Sequence, residues 1–305
     1  MPPLPPLVLT DADSVESTLL AGAHACLSAA CRTGSIEAIE DLGILIATGD
    51  LHDNPLHLAK LLHAAHLHED GSPHPAGPPR HLILHEIIHG DHLLNGMDLS
   101  YRVLARVARL KSLYPEHVHV LLGNHELAQM LKSGILKDGV KSVEAFNAGL
   151  EYVFGGEFDR IDRALIAFVR AMPLALRART PRGDILCAHS LPPAASMGRF
   201  DTSILSRPLT DDDYVPRQGS AHLMVWGRGY DTEGLEDLVE RWGAYLFILG
   251  HEKAPEGVKF VPPNAVILNS DHERGVCLPI DLSSPPAAGE AADLAQPLMT
   301  MPCPS

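Results

Sequence analysis

The sequence carries no apolar run that approaches the ~20 residues needed to span a membrane. It has no excess of basic residues: Lys and Arg total 24 against 38 Asp and Glu, a formal net charge of −14. That balance argues against a nucleic-acid partner, whose phosphate backbone needs a basic surface. The five cysteines, Cys26, Cys31, Cys187, Cys277 and Cys303, show no disulfide-framework spacing, and their odd number suits a reducing compartment. No Lys or Arg precedes Arg32, and four prolines fall in the first six residues. This pattern predicts no signal peptide and a cytoplasmic location. No internal repeat is found. The chain's 305 residues can hold one large core without forcing a second domain.

Five hydrophobic runs are present, each ending in polar residues. Ile44 to Thr48 leads to Gly49-Asp50-Leu51-His52, and Leu82 to His89 leads to Gly90-Asp91. Val118 to Leu122 leads to Gly123-Asn124-His125-Glu126, Ile185 to Ala188 to His189, and Tyr245 to Leu249 to Gly250-His251. Short apolar runs bounded by Gly read as buried strands, and α/β folds gather ligand groups at strand ends. Asp50, His52, Asp91, Asn124, His189 and His251 are too many donors for one tetrahedral ion. Mixed carboxylate and imidazole donors suit Mn, Fe or Zn. Two ions ~3.5–4 Å apart call for a bridging carboxylate, and Asp91 is the candidate. His125, next to a candidate ligand, is the candidate general acid.

These motifs resemble those of the calcineurin-type metallophosphoesterases, and within that group the phosphoprotein phosphatases. The resemblance runs over roughly residues 43 to 282 and takes in Asp50-x-His52, Gly90-Asp91, Gly123-Asn124-His125-Glu126, His189 and His251. Tyr114-Pro115-Glu116 and Met172-Pro173-Leu174 support it. It implies two mixed sheets flanked by helices, with metals at one sheet edge. There are departures. The family's Gly-Asp-x-x-Asp-Arg-Gly is met here by Gly90-Asp91-His92-Leu93-Leu94-Asn95-Gly96. In that register Leu94 replaces the aspartate that orients the catalytic histidine, and Asn95 the arginine that grips phosphate. Leu122 stands in place of another arginine. Asn124, Arg228 and Arg274 are the candidate substrate contacts, and Asp98 could also compensate.

Strand–helix alternation in the first half, with closely spaced strands later, predicts a two-sheet α/β sandwich, in the family's terms α/β/β/α with a helical insertion. Residues 1–42 are expected to form an N-terminal helical extension starting near Asp11. The catalytic domain covers 43–282, with helices over Asn54 to His68 and Leu99 to Leu113 and a two-helix insertion at 134–172. The Pro/Ala-rich tail, 283–305, is expected to be disordered.

Ten of the 18 histidines fall between His52 and His92. Of these, His63, His66, His68 and His74 read as solvated residues, whereas His85, His89 and His92 flank Asp91. His85-Glu86-Ile87-Ile88-His89 matches the zinc-protease pattern His-Glu-x-x-His, which requires a helix. Pro78-Pro79 before it and Gly90 after it favour a strand, on which the two histidines would lie ~13 Å apart.

The expected activity is two-metal hydrolysis of a phosphate monoester by a metal-bridging hydroxide, with His125 protonating the leaving group. The substrate is a phosphoprotein or a small phosphoester. A diester or nucleotide substrate, and a metal-binding protein impaired in catalysis, are the alternatives.

Overall fold

The computed structural model describes residues 6–72, 77–137 and 139–302; His74 and Cys303 lie outside them. The strands in chain order are β1 (Arg32–Thr33), β2 (Ile36–Ile39), β3 (Ile44–Thr48), β4 (Arg80–His85), β5 (Val118–Leu121), β6 (Leu136–Lys137) and β7 (Val140–Lys141). They continue as β8 (Ala175–Ala178), β9 (Asp184–Ala188), β10 (Ala244–Leu249), β11 (Val258–Val261), β12 (Ala265–Leu268), β13 (Val276–Asp281) and β14 (Gln296–Pro297). One sheet has the order β14-β13-β3-β4-β5, the other β1-β2-β8-β9-β10-β12-β11, and β6 and β7 form a separate hairpin. Both main sheets are mixed. The neighbours β3, β4 and β5 run parallel, as do β9, β10 and β12, whereas β13 is antiparallel to β3.

Period-two alternation assigns each strand's two faces. Leu45 and Ala47 of β3, Ile83 of β4, Leu246 and Ile248 of β10 and Leu278 and Ile280 of β13 meet in the layer between the sheets. Ile46, Leu82, Leu84, Phe247 and Leu249 point the other way, into a second cluster shared with the helices. Strands buried on both faces read as continuous apolar runs, which explains why they were legible in sequence.

The helices that matter here are α1 (Ala12–Ser28), α2 (Pro55–Ala64), α3 (Tyr101–Leu113), α4 (Asn124–Leu131), α5 (Ser142–Phe154) and α6 (Phe158–Ala171). Asp11 caps α1 by accepting from the Ser14 N–H (3.2 Å), and Asn54 caps α2 through His57 N–H (3.0 Å). Helix α1 packs on α3 and α6. A Cβ on Gly22 would lie 2.8 Å from that of Ala108 on α3, so glycine sets how closely the two helices approach.

Three expectations are corrected. The run Leu82 to His89 is not one strand: β4 ends at His85, and Glu86 and His89 take positive φ of 50° and 61°. The segment 1–42 is not only helical, because β2 lies within it and pairs in parallel with β8. The tail is folded as far as it is described. Its β14 adds to β13, Leu298 is fully buried, and Lys60 Nζ on α2 donates to Leu298 O at 2.9 Å. Burying Leu298 and satisfying a buried lysine offset the entropy of ordering this Ala/Pro-rich segment.

Candidate metal centre

The ends of β3, β4, β5, β9 and β10 lead directly to Asp50 and His52, Glu86, Asn124, His189 and His251. Close approach requires glycine at two of these ends. A Cβ on Gly250 would overlap Asp50 Oδ1 and His85, and one on Gly123 would overlap Glu86 Oε2. The turn after β4 is held by its neighbours: Glu86 O accepts from the Leu51 and His52 N–H groups (3.1 and 2.8 Å), and Glu126 Oε1 from those of Ile87 and Ile88 (2.6 and 3.2 Å). The carboxylate of the Asn124-His125-Glu126 block thus fixes the bend that turns Glu86 inward.

Glu86 is the group the sequence reading passed over. Its side chain is buried; Oε1 lies 3.8 Å from His52 Nε2 and 3.5 Å from His125 Nε2, while Oε2 lies 3.5 Å from His189 Nε2. Asp91, the expected bridge, is placed otherwise: its carboxylate is 64% exposed and paired with Lys137 Nζ at 2.8 Å. It lines the cleft above the cluster without joining it. The other expected donors do converge. Asp50 Oδ1 lies 3.5 Å from His189 Nδ1 and accepts from the His251 N–H at 3.0 Å, and Asn124 Oδ1 lies 2.8 Å from His189 Nε2. With Glu86 in place of Asp91, the family motif Gly-Asp-x-x-Asp-Arg-Gly falls on His85-Glu86-Ile87-Ile88-His89-Gly90-Asp91. Leu94 then has no part in it: it is 53% exposed on a surface turn bridged to Met97, where Asn95 takes φ 51°.

Proton positions can be followed through the rings. His52 Nδ1 donates to Ile88 O (3.0 Å), which leaves the Nε2 lone pair facing Glu86. His85 Nε2 donates to Thr48 O (2.9 Å), so its bare Nδ1 accepts from His189 Nδ1 at 3.1 Å. The lone pair on His189 Nε2 then faces Asn124 Oδ1, two acceptors in contact. His251 Nε2 is buried with no hydrogen-bond partner. Burial pushes Asp50 up to about 7, with Asp271 and Glu126 adding repulsion, and raises Glu86 well above the carboxylate range, aided by Glu126 and Asp50. Desolvation lowers His52 and His251 to about 3, which keeps them neutral. Facing acceptors, crowded carboxylates and neutral imidazoles make a donor set that cations complete.

His125 belongs to a second chain of contacts. Its Nδ1 lies 2.8 Å from His89 Nδ1, His89 Nε2 lies 3.3 Å from Gln129 Oε1, and Gln129 Nε2 donates to Asn147 Oδ1 (2.8 Å). Because Gln129 presents its oxygen, His89 carries its proton on Nε2, and its bare Nδ1 accepts from His125 Nδ1. His125 Nε2 is therefore the bare nitrogen on the side of Glu86.

The cleft over these groups encloses about 580 Å³. Arg228 lines it, its Nη1 donating to His251 O (2.8 Å). Arg274 does not: it is exposed and paired with Glu256. Another group of ligand-type residues, Cys31, Glu37 and His119, lies apart from the centre. Fully buried Lys111 donates to Glu37 at 2.7 Å and His119 donates to the other oxygen, so a cation is already supplied there.

A family model described as calcineurin-like phosphoesterase matches residues 45–255. No curated protein matches the chain. Among solved structures, it is similar to a protein serine/threonine phosphatase from Saccharomyces cerevisiae with similarity to human phosphatase PP5. The two are 17% identical with a TM-score of 0.59, over 88% of this chain and 82% of that one. It is also similar to a cold-active protein-tyrosine phosphatase of a psychrophilic Shewanella species, 14% identical with a TM-score of 0.56, over 80% and 77%. At these identities the likeness is one of fold. Among the described residues, no helix is long and apolar enough to cross a membrane.

Proposed function

The chain belongs to the calcineurin-like phosphoesterases, and from that premise we propose that it hydrolyses a phosphate monoester at a two-metal centre whose bridging carboxylate is Glu86. The observation that carries this reading is the division of Glu86: one carboxylate oxygen faces His52 and His125, the other His189. Asp50, His52 and Glu86 would hold one ion; Glu86, Asn124, His189 and His251 would hold the other. Manganese, iron and zinc all suit these donors. Bound there, the ions supply Lewis-acid polarisation of the phosphoryl oxygens and acidify water.

The protein's own groups do the rest. The His251 N–H and the Ile88 carbonyl lock Asp50 and His52 in position. Arg228, held by His251 O at the cleft wall, meets a phosphoryl oxygen. His125, with Nδ1–H anchored on His89, presents Nε2 to the leaving oxygen and, when protonated, donates to it. His89 stands where the resemblance puts an aspartate, so a neutral ring does the work of an anion. Gly90 stands where the resemblance puts arginine. That loss favours a diester as the second reading.

The test is hydrolysis of 4-nitrophenyl phosphate with added Mn²⁺, beside bis(4-nitrophenyl) phosphate. Glu86→Gln should abolish turnover and metal binding, and Asp91→Asn should retain both. The reverse outcome would restore Asp91 as the bridge. No monoester turnover by the wild type would refute the proposal.

A further inference from the structure

The resemblance puts arginines at two positions that Gly90 and Leu122 hold in this chain. Cations line the cleft all the same: Lys137, Arg228 and Lys253. Glu86 divides the centre into a His52–His125 side and a side with His189, whose ring meets that of His251. Arg228 belongs to the second, tied to His251 O and acting on His251 with its charge. Lys137 belongs to the first. It reaches in from the β6–β7 hairpin and donates at 3.3 Å to the carbonyl of His89, the residue whose ring holds His125. Its charge acts on Asp50, His52, Glu86 and His125 together.

Three features fit this lysine to an incoming anion. Its side chain is 21% exposed in the cleft wall, so a bound group can reach it. An ammonium has three N–H donors, and two are used, on Asp91 Oδ1 at 2.8 Å and on His89 O. The Asp91 carboxylate is mostly exposed, so its hold on the lysine is the weak one of a solvated pair. A doubly charged phosphoryl group competes for the ammonium on better terms than one hydrated carboxylate. Asp91 takes no part in the donor cluster, and a counter-ion role accounts for its place on the cleft wall.

We infer that Lys137 is a second cation that grips the phosphoryl group, facing Arg228 across the centre, with Asp91 as its counter-ion when no anion is bound; this rests on the monoester reading above. A monoester carries a second negative charge that a diester lacks, and Lys137 is placed to meet it. The lysine supplies the charge, though not the planar fork, of the arginines missing at Gly90 and Leu122.

The experiment is calorimetric binding of phenylphosphonate, a hydrolysis-resistant dianion, and of its monomethyl ester, a monoanion, to the Mn²⁺-loaded chain. Lys137→Met should weaken phenylphosphonate by about tenfold or more, as loss of a charge-assisted hydrogen bond implies, and the methyl ester far less. Lys253→Met, which takes the same charge from the same cleft, should weaken phenylphosphonate only a few-fold. Asp91→Asn should tighten it in the wild-type background and not in Lys137→Met. Mn²⁺ affinity should not fall in Lys137→Met, because removing a cation beside the centre leaves the metals less repelled. Equal phenylphosphonate affinities in the wild type and Lys137→Met, an equal loss in Lys253→Met, or a gain in Asp91→Asn that survives in Lys137→Met overturns the assignment. So does a fall in Mn²⁺ affinity, which would mean that the hairpin acts by shaping the centre. Hydrolysis of 4-nitrophenyl phosphate by the same wild-type preparation separates the two readings. With hydrolysis intact, an unchanged affinity in Lys137→Met sinks the lysine contact alone. With hydrolysis absent, the phosphatase reading falls and phenylphosphonate still decides whether Lys137 grips the anion.

Discussion

Replacing His89 changes the group that orients His125 without touching a candidate metal donor. In the structure a neutral Nδ1 accepts the His125 Nδ1–H at 2.8 Å, and His89 is itself held by Gln129. A neutral hydrogen bond contributes about 1 kcal/mol net, and one to a charged partner about 1.5–3 kcal/mol. His89→Asp should therefore favour protonated His125 by roughly 1.4 kcal/mol, about one pKa unit or tenfold. Burial now holds His125 well below the usual imidazole range. The substitution works against that depression and should extend the acid catalysis proposed for His125 to higher pH. Position 89 has φ 61°, a conformation aspartate tolerates. His89→Leu removes the acceptor of the buried His125 Nδ1–H, which disfavours that tautomer by about 1–3 kcal/mol and shifts the proton toward Nε2. The assay is kcat/KM for phenyl phosphate beside 4-nitrophenyl phosphate: the poorer leaving group should gain about tenfold in His89→Asp and lose most in His89→Leu. Ring-nitrogen NMR of the metal-free chain should show His125 as the Nδ1–H tautomer. Finding the Nε2–H tautomer in the wild type, or equal phenyl phosphate rates in all three proteins, refutes the reasoning.

Other substitutions test the frame around the centre. Gly123→Ala would press a methyl group onto Glu86 Oε2 and Glu126 Oε2; metal affinity should fall at least about tenfold with circular dichroism unchanged. Lys111→Met takes the only ammonium from the Glu37 carboxylate in a fully buried site and leaves it to His119; this should lower unfolding free energy by about 3–5 kcal/mol in urea titrations, with Glu37→Gln in the same chain recovering much of it. Burial alone would raise the Glu37 pKa, but His119 and Lys111 hold it lowered. Its contribution is therefore present above the unfolded-state carboxylate pKa and is lost as pH falls through the folded value, so Lys111→Met should acid-unfold at higher pH. Leu298→Ala should cost about 2 kcal/mol or more if the tail packs as described; an unchanged denaturation midpoint would show that it does not.

The sequence alone determined four of the strands, those that lead to Asp50, Asn124, His189 and His251, and the residues that close them. Ile44 to Thr48 and its counterparts are apolar on both faces because both faces are covered, and that pattern places Asp50, His52, Asn124, His189 and His251 at strand ends whatever the neighbours are. It also fixed the α5–α6 pair, whose apolar residues recur at helical spacing. Tertiary structure decided what lay between His85 and Asp91. Two residues there take positive φ without being glycine, which no hydrophobic period registers, and the bend is held by Glu126, forty residues further on. Read as a continuing strand, the segment delivers its candidate ligand at Gly90-Asp91; bent after His85, it delivers Glu86 to the cluster of candidate donors and His89 to His125. One signal was available: Leu82 to Leu84, like Ile44 to Thr48, is a short run, and ending it at His85 puts Glu86, His89 and Gly90 in register with the family motif. The tail followed the same logic. Its composition predicts disorder, and the buried seats for Ala291 and Leu298, the pairing of β14 with β13 and the lysine beneath Leu298 supply the free energy that orders it.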